Sequence, residues 1–301
     1  MLVCKEQFET ISDGLLVRAP AKINLSLVVG GRRPDGFHEI ETVMAKINFY
    51  DEILIQPGQK AGIELACTGP CWAPDGEENL VYQACKLLLG SGGLSADIKV
   101  TLTKNIPAGA GLGSASSDAA AALIGLNKYL NSGLSNAELG SLAATLGSDV
   151  AFFLGGPLAF CSGRGEKIKK INEKFDFLAL LVLPDISVST KKVYANYKTD
   201  WPLYKQLSSQ INSYIQKNRI DLVLKMCANI LEISCFDLYK ELAELKAKIE
   251  SLGIGPLCLS GSGSAMFCVL DSSDEEKAEE SKNKLEEKVD CKGVIVSNNR
   301  W

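Results

Sequence analysis

The sequence is poor in side chains that several common chemistries need. Among 301 residues there is one histidine, His38. A two-histidine metal site is therefore excluded, and any Ser-His or Cys-His nucleophile would have to use this residue. The ten cysteines form no C-x-x-C, and the closest pair, Cys67 and Cys71, stands alone. Zinc sites ordinarily take two close ligand pairs, so no metal ligand is assigned. Cys258 and Cys268 lie in apolar runs, where a reduced thiol behaves as a small hydrophobe. With no secretory signal, reduced thiols are expected rather than a disulfide framework.

Long apolar runs are missing as well. The longest strongly apolar stretches are Phe177–Leu183 and Ala119–Leu126. Both fall far short of the roughly 18–20 residues that span a bilayer. The opening MLVCKEQFETISDG has acidic residues where a signal peptide needs an apolar core. The expectation is a cytoplasmic protein without a membrane partner, or a stromal one, transit peptide absent, were the source a plant. Positive charge is not in excess: 32 Lys+Arg against 36 Asp+Glu gives a net charge of −4. That argues against a nucleic-acid partner. It leaves small anionic ligands open, because a site is set by local charge.

What is present looks globular. Hydrophobic residues make up 46% and charged residues 23%. At roughly 150 residues per domain, the length suggests two domains. Leu15–Val29 and Ile40–Ile55 read as strands, the second broken near Tyr50-Asp51, with a loop at Gly30–Gly36 between them. Glu78–Leu89 has helical spacing, and Ala96–Thr103 alternates as a strand. A helix from Ser116 to Leu130 follows. Ser135 and Glu138 form a capping-box pattern that opens another helix, ending near Gly147, before a strand at Leu158–Ser162. In the second half Phe177–Leu183 reads as a buried strand, and Trp201–Leu252 as almost entirely helical. Leu257–Leu270 reads as strand, glycine turn, strand; Asp274–Lys288 as an amphipathic helix; Gly293–Ser297 as a final strand. Strands and helices without a regular βαβ beat indicate an α+β fold. The composition changes across Gly163–Glu173, which divides the chain into domains at 1–165 and 166–301.

The most informative segment is PAGAGLGSASSDAAAAL, Pro107–Leu123. A strand, a glycine loop and a helix N-terminus together favour phosphate, because backbone N–H groups can approach the anion and the helix end is electropositive. Ser114, Ser116 and Ser117 add hydroxyl donors. The loop is not a Walker A motif, since no G-K-[ST] occurs, and not G-x-G-x-x-G, since position 114 is Ser. Kinase HRD and DFG signatures are absent. A flexible turn capping an ordinary helix is the plain alternative. A second glycine turn, Ser260–Ala265, reads on its own as a hairpin turn, although two such turns could line one cleft.

Three segments in order resemble the GHMP kinase family: PAKINL (Pro20–Leu25), PAGAGLGSASSDAA (Pro107–Ala120) and LSGSGSAMF (Leu259–Phe267). GRRPDGFHEIET (Gly31–Thr42) and Leu146–Glu166 resemble the branch that phosphorylates a cytidine diphosphate-linked methylerythritol in non-mevalonate isoprenoid synthesis. The resemblance implies ATP-dependent transfer to the 2-hydroxyl of that substrate. It also implies two α+β domains, the first like ribosomal S5 domain 2 and the second ferredoxin-like, with the site in the cleft between them.

By position, Asp149 matches the catalytic aspartate and Lys22 the lysine expected to pair with it. Taken alone, Asp149 reads first as a helix N-cap. Asn24 matches a substrate-contacting asparagine. Phe37 and His38 match the pair that reads cytosine, although many members carry Tyr at the Phe37 position. Tyr194 matches the aromatic on the other face, with Thr190 beside it. Gly261, Ser262 and Gly263 of the second turn are placed at the substrate. Asn79 and Lys104 match positions near adenine. Pro107, Gly109, Ala110, Gly111, Leu112, Gly113, Ser114, Ala115, Ser116 and Ser117 would wrap the phosphates, with Ser114 and Ala115 standing where the family often has glycine. Mg²⁺ is expected with ATP, held mostly by the nucleotide. A monomer or weak homodimer is expected. Other alcohol kinases of the same fold (for homoserine or mevalonate), a related decarboxylase, and a catalytically silent nucleotide-binding regulator are the alternatives. The cytosine segment disfavours the other substrates, and retention of both Lys22 and Asp149 disfavours the silent regulator.

Overall fold

A computed structural model describes residues 4–91, 93–172, 175–270 and 275–301. The first half builds one sheet from β1 (Phe8–Ile11), β2 (Gly14–Arg32), β3 (His38–Pro57), β4 (Ile63–Thr68), β5 (Ile98–Thr103), β6 (Leu158–Gly163) and β7 (Lys167–Lys170). Its helices are α1 (Leu80–Ser91), α2 (Ser114–Tyr129), α3 (Asn136–Leu146) and α4 (Val150–Leu154). The second half holds β8 (Leu178–Leu183), α5 (Thr190–Asn196), α6 (Trp201–Gln216), α7 (Ile220–Met226), β9 (Ala228–Asn229), α8 (Leu231–Leu238), α9 (Lys240–Ser251), β10 (Leu257–Leu259), β11 (Met266–Leu270), α10 (Glu275–Val289) and β12 (Lys292–Ser297).

The first sheet runs β1-β2-β3-β5-β4, with β6 on β3, β7 on β6, and β9 on β2. The second runs β10-β11-β8-β12, every pair antiparallel. In chain order that is 2-3-1-4, with helices in the first and last crossovers, which is the connectivity expected of a ferredoxin-like domain. The fold is thus the two-domain α+β arrangement. One core lies under α1–α4. The other runs from β2 into the second sheet, so both halves share it.

The pairing of β2 with β3 is what aims the site. The register shifts between Pro20 and Ala21. Before the shift Leu15, Val17 and Ala19 join the core under the helices; after it Ala21, Ile23, Leu25 and Leu27 join the shared core. The alternating side chains Lys22 and Asn24 then face the cleft, because neighbours along a strand point to opposite sides. The break expected near Tyr50-Asp51 is this β-bulge, and β3 continues through it.

The stretch 201–252 is almost entirely helical, as expected, divided into four helices with a two-residue strand; Asn218 and Cys227 adopt left-handed conformations (φ 52° and 49°) that end α6 and α7. Two expectations need correction. The first sheet reaches Lys170 through β7, a few residues past the 165/166 division, since β7 hydrogen-bonds to β6. Within the expected break, Glu173 lies outside the described residues, as does Asp274 at the start of the last helix. Cys258 is not a free thiol: it is joined to Cys227 with Cα atoms 5.3 Å apart, because the turn at Cys227 sets that residue beside β10. The remaining eight cysteines are free. Among the described residues no helix is long and apolar enough to cross a membrane.

Candidate active site

A cavity of about 1040 Å³ opens between the two halves. Both glycine turns reach it. The loop after β5 contributes Pro107–Gly109, Gly111–Gly113 and the first turn of α2, and the turn after β10 contributes Gly261 and Ser262. The turns are stitched together. Ala265 N donates to Ala110 O at 3.1 Å, and Ser260 Oγ to Gly111 O at 3.0 Å. Gly111 has φ +77°, and a Cβ there would lie 2.0 Å from Ser260 O, so only glycine fits.

Gly113, the residue before α2, also has positive φ (71°) and offers no side chain to cap the helix. The first backbone N–H groups of α2 are therefore open to the cavity, the arrangement that accepts phosphate. Ser114 and Ala115 lie in the first helical turn, where the freedom of glycine is not needed.

Lys22 is buried. Its Nζ donates to Asn24 Oδ1 at 2.5 Å and Gly111 O at 2.7 Å, so the lysine ties β2 to the first glycine loop. Burial pushes its pKa down, and the negative charge of Asp149 pushes back. The expected direct pairing of the two is not present: among the described residues no ion pair joins them, because Asn24 and Gly111 occupy the ammonium. They interact through the field across the cleft. Asp149 precedes α4 and caps none of its N–H groups, so the N-cap alternative fails and the carboxylate is left at the cavity. Ser148 Oγ donates to Asp149 Oδ1 at 3.3 Å.

At the other end, His38 lies 5.6 Å from the Tyr194 ring and 5.9 Å from the Tyr197 ring, centroid to centroid. Burial, then the charge of Arg32, lowers the His38 pKa, which favours a neutral imidazole. Phe37 is 54% exposed, with the Arg164 guanidinium 4.9 Å from its ring centroid. Asn24 Nδ2 donates to Thr42 Oγ1 at 2.8 Å, and Thr190 Oγ1 and Ser262 Oγ share a hydrogen bond of 2.8 Å.

Most of the expected residues meet in this one cavity; five do not line it. Lys104 Nζ is buried among Asp51, Ser114 and Asp118, so it fastens α2 to β3 behind the loop. Asn79 caps α1, its Oδ1 accepting from Val81 N and its Nδ2 donating to Pro74 O. Ser117 Oγ donates to Pro20 O, and Ala110 is taken up by the bond between the turns. A Cβ on Gly263 would meet Leu259 and Cys235, so it faces the core. Conversely Arg32, Arg164, Lys191 and Tyr197 line the cavity without having been singled out. Arg32 follows Gly30-Gly31 and Arg164 lies between Gly163 and Gly165, a glycine context that could have found them; nothing in sequence marked Lys191 or Tyr197.

The model of the GHMP kinases N terminal domain matches residues 79–157, and that of the GHMP kinases C terminal matches 211–291. A 4-diphosphocytidyl-2-C-methyl-D-erythritol kinase of Geobacillus sp. (strain WCH70) is 41% identical over 253 residues, covering 84% of this chain and 87% of that protein. One of Bacillus cereus (strain B4264) is 40% identical over 256 residues, with the same coverage. A crystal structure of 4-(cytidine 5'-diphospho)-2C-methyl-D-erythritol kinase superposes with a TM-score of 0.75 at 31% identity, covering 95% of this chain and 100% of that one. A homoserine kinase from Cytophaga hutchinsonii gives a TM-score of 0.73 at 18% identity over 98% of both chains, a likeness of fold alone.

Proposed function

The chain belongs to the GHMP kinase family, among its 4-diphosphocytidyl-2-C-methyl-D-erythritol kinases, and we propose that its cleft transfers the γ-phosphoryl group of ATP to the 2-hydroxyl of that substrate. The observation that carries this is spatial: one cavity holds the open N-terminus of α2, an uncapped Asp149 carboxylate and the His38–Tyr194 pair.

Phosphoryl transfer asks a protein for positioning and charge stabilisation more than covalent chemistry. The loop N–H groups hold the ATP phosphates. Asp149 accepts the hydrogen bond of the attacking hydroxyl and aims its oxygen at the γ-phosphorus. Lys22 stabilises the ionised Asp149 through space and offsets negative charge that develops during transfer. Phe37 and Tyr194 sandwich the cytosine, and the neutral His38 hydrogen-bonds its edge. Arg32, Arg164 and Lys191 meet the substrate diphosphate.

Mg²⁺ fits only as an ion held mostly by the nucleotide. Among the described residues no cluster of three acidic, cysteine or histidine side chains forms, and Lys104 engages both Asp51 and Asp118 behind the loop. The Ser116 hydroxyl and the Asp149 carboxylate are the groups that would reach it, and the ion would neutralise phosphate charge. The proposed setting is the cytoplasm, with the chain a monomer or weak homodimer.

An ATP-consumption assay over a panel of alcohols tests the reading. Turnover is expected with the cytidyl diphosphate substrate. Turnover with homoserine or mevalonate, and none with that compound, would sink it.

A further inference from the structure

Lys46 of β3 is a fully buried lysine that the chemistry above does not use. Its Nζ donates to Phe153 O at 3.0 Å and Gly155 O at 2.8 Å. Burial pushes its pKa down, and no neighbouring carboxylate counters that shift. A buried lysine with no carboxylate beside it is costly to ionise, so its two carbonyl contacts are informative. The two carbonyls belong to the end of α4, the single helical turn that Asp149 begins. Backbone bonds extend the same clamp: Lys46 N donates to Pro157 O, and Asn299 N to Lys46 O. The ring of Trp301 lies 5.8 Å from Nζ. The carboxylate end of α4, by contrast, has no side-chain cap, so the helix is fastened at its far end.

We propose that Lys46 is a positioning residue for the phosphoryl transfer: by holding the last carbonyls of α4 it sets where Asp149 stands in the cleft. The inference rests on the reading of Asp149 given above. A single turn makes few internal hydrogen bonds, so where α4 stands is set from outside it, by the packing of Val150, Phe152 and Phe153 in the core and by Lys46 on its last carbonyls. Displacements of about 1 Å at a reacting group are enough to cost about a hundredfold in rate.

A double-variant cycle tests it. Lys46→Met should lower kcat about tenfold and leave both KM values within about twofold. Lys46→Gln, which keeps neutral donors on a shorter stem, should lose only about threefold. On an Asp149→Asn background either change should lower the residual single-turnover rate by less than about twofold, because the group being positioned is gone. A merely structural lysine would lower both backgrounds equally. The proposal is overturned if Lys46→Met keeps kcat within about twofold of wild type, or if its loss repeats in full on Asp149→Asn. Should Lys46→Met fail to fold, Lys46→Gln carries the cycle by the same criterion. Near-wild-type turnover of Asp149→Asn alone would instead remove the role of Asp149, and with it this inference.

Discussion

At the scale of single residues, the site separates side chains that hold the protein from those free to hold a ligand. Phe37 is large, apolar and more than half exposed, and it lines the cavity, so its ring is accessible to a ligand there. Base–aromatic stacking is worth about 1–3 kcal/mol, so Phe37→Ala should raise KM for the cytidyl substrate roughly 5- to 150-fold, with kcat and thermal stability little changed. An unchanged KM in steady-state assays would reject the stacking. Lys46 supplies a pH signature of its own. Burial pushes its pKa from 10.5 to about 7. The unfolded chain therefore binds a proton that the folded chain has released between those values, so the stability contributed by this residue rises as pH climbs from about 7 to about 10.5. Relative to Lys46→Met, wild type should gain at most about 1.4 kcal/mol per pH unit across that window. Urea midpoints of the two proteins at pH 7, 8 and 9 check it; parallel curves would refute it. Lys104 teaches the reverse lesson. The family resemblance places it near adenine, yet two carboxylates and a serine consume it.

At the scale of elements, the decisive feature is how closely the two glycine turns approach. Gly111→Ala would drive a methyl group into the Ser260 carbonyl and force a left-handed backbone on alanine. The loops would have to part, which should destabilise the protein by about 2–4 kcal/mol and lower kcat/KM by more than an order of magnitude. A fully active, equally stable variant would show that the approach is dispensable. The helix starts were legible where their chemistry is local. Ser135 and Glu138 do form the capping box before α3, since all its partners lie within one turn. The breaks that end α6 and α7 were harder to read: Asn218 is a residue that favours a left-handed helix end but stands without Gly or Pro beside it, and Cys227 carries no turn signal.

At the scale of the molecule, the cleft exists only while its walls keep their places. Glu41 of β3 accepts hydrogen bonds from Tyr204 (3.0 Å), Ser208 (2.7 Å) and Asn212 (3.2 Å), all on α6, and so pins the second half to the first. Glu41→Ala should cost about 1–3 kcal/mol and speed amide exchange over 201–216. Unaltered exchange there would mean the pin carries no load. The shared core makes this coupling general, because β2 serves both halves. Sequence by itself determined the class of fold, the glycine loop before a helix and the order of the motifs, since those depend on local pattern and residue type; the candidate residues came from the family resemblance those motifs carry. Only tertiary structure decided which candidates face the cavity. Lys104 and Asn79 turned inward, Arg32, Arg164, Lys191 and Tyr197 were brought in, and Lys46 met the far end of α4 across 107 residues of chain. The physical reason is that a side chain's partners are set by register shifts and by contacts between distant segments, such as the bulge at Pro20/Ala21, and no spacing along the chain records those.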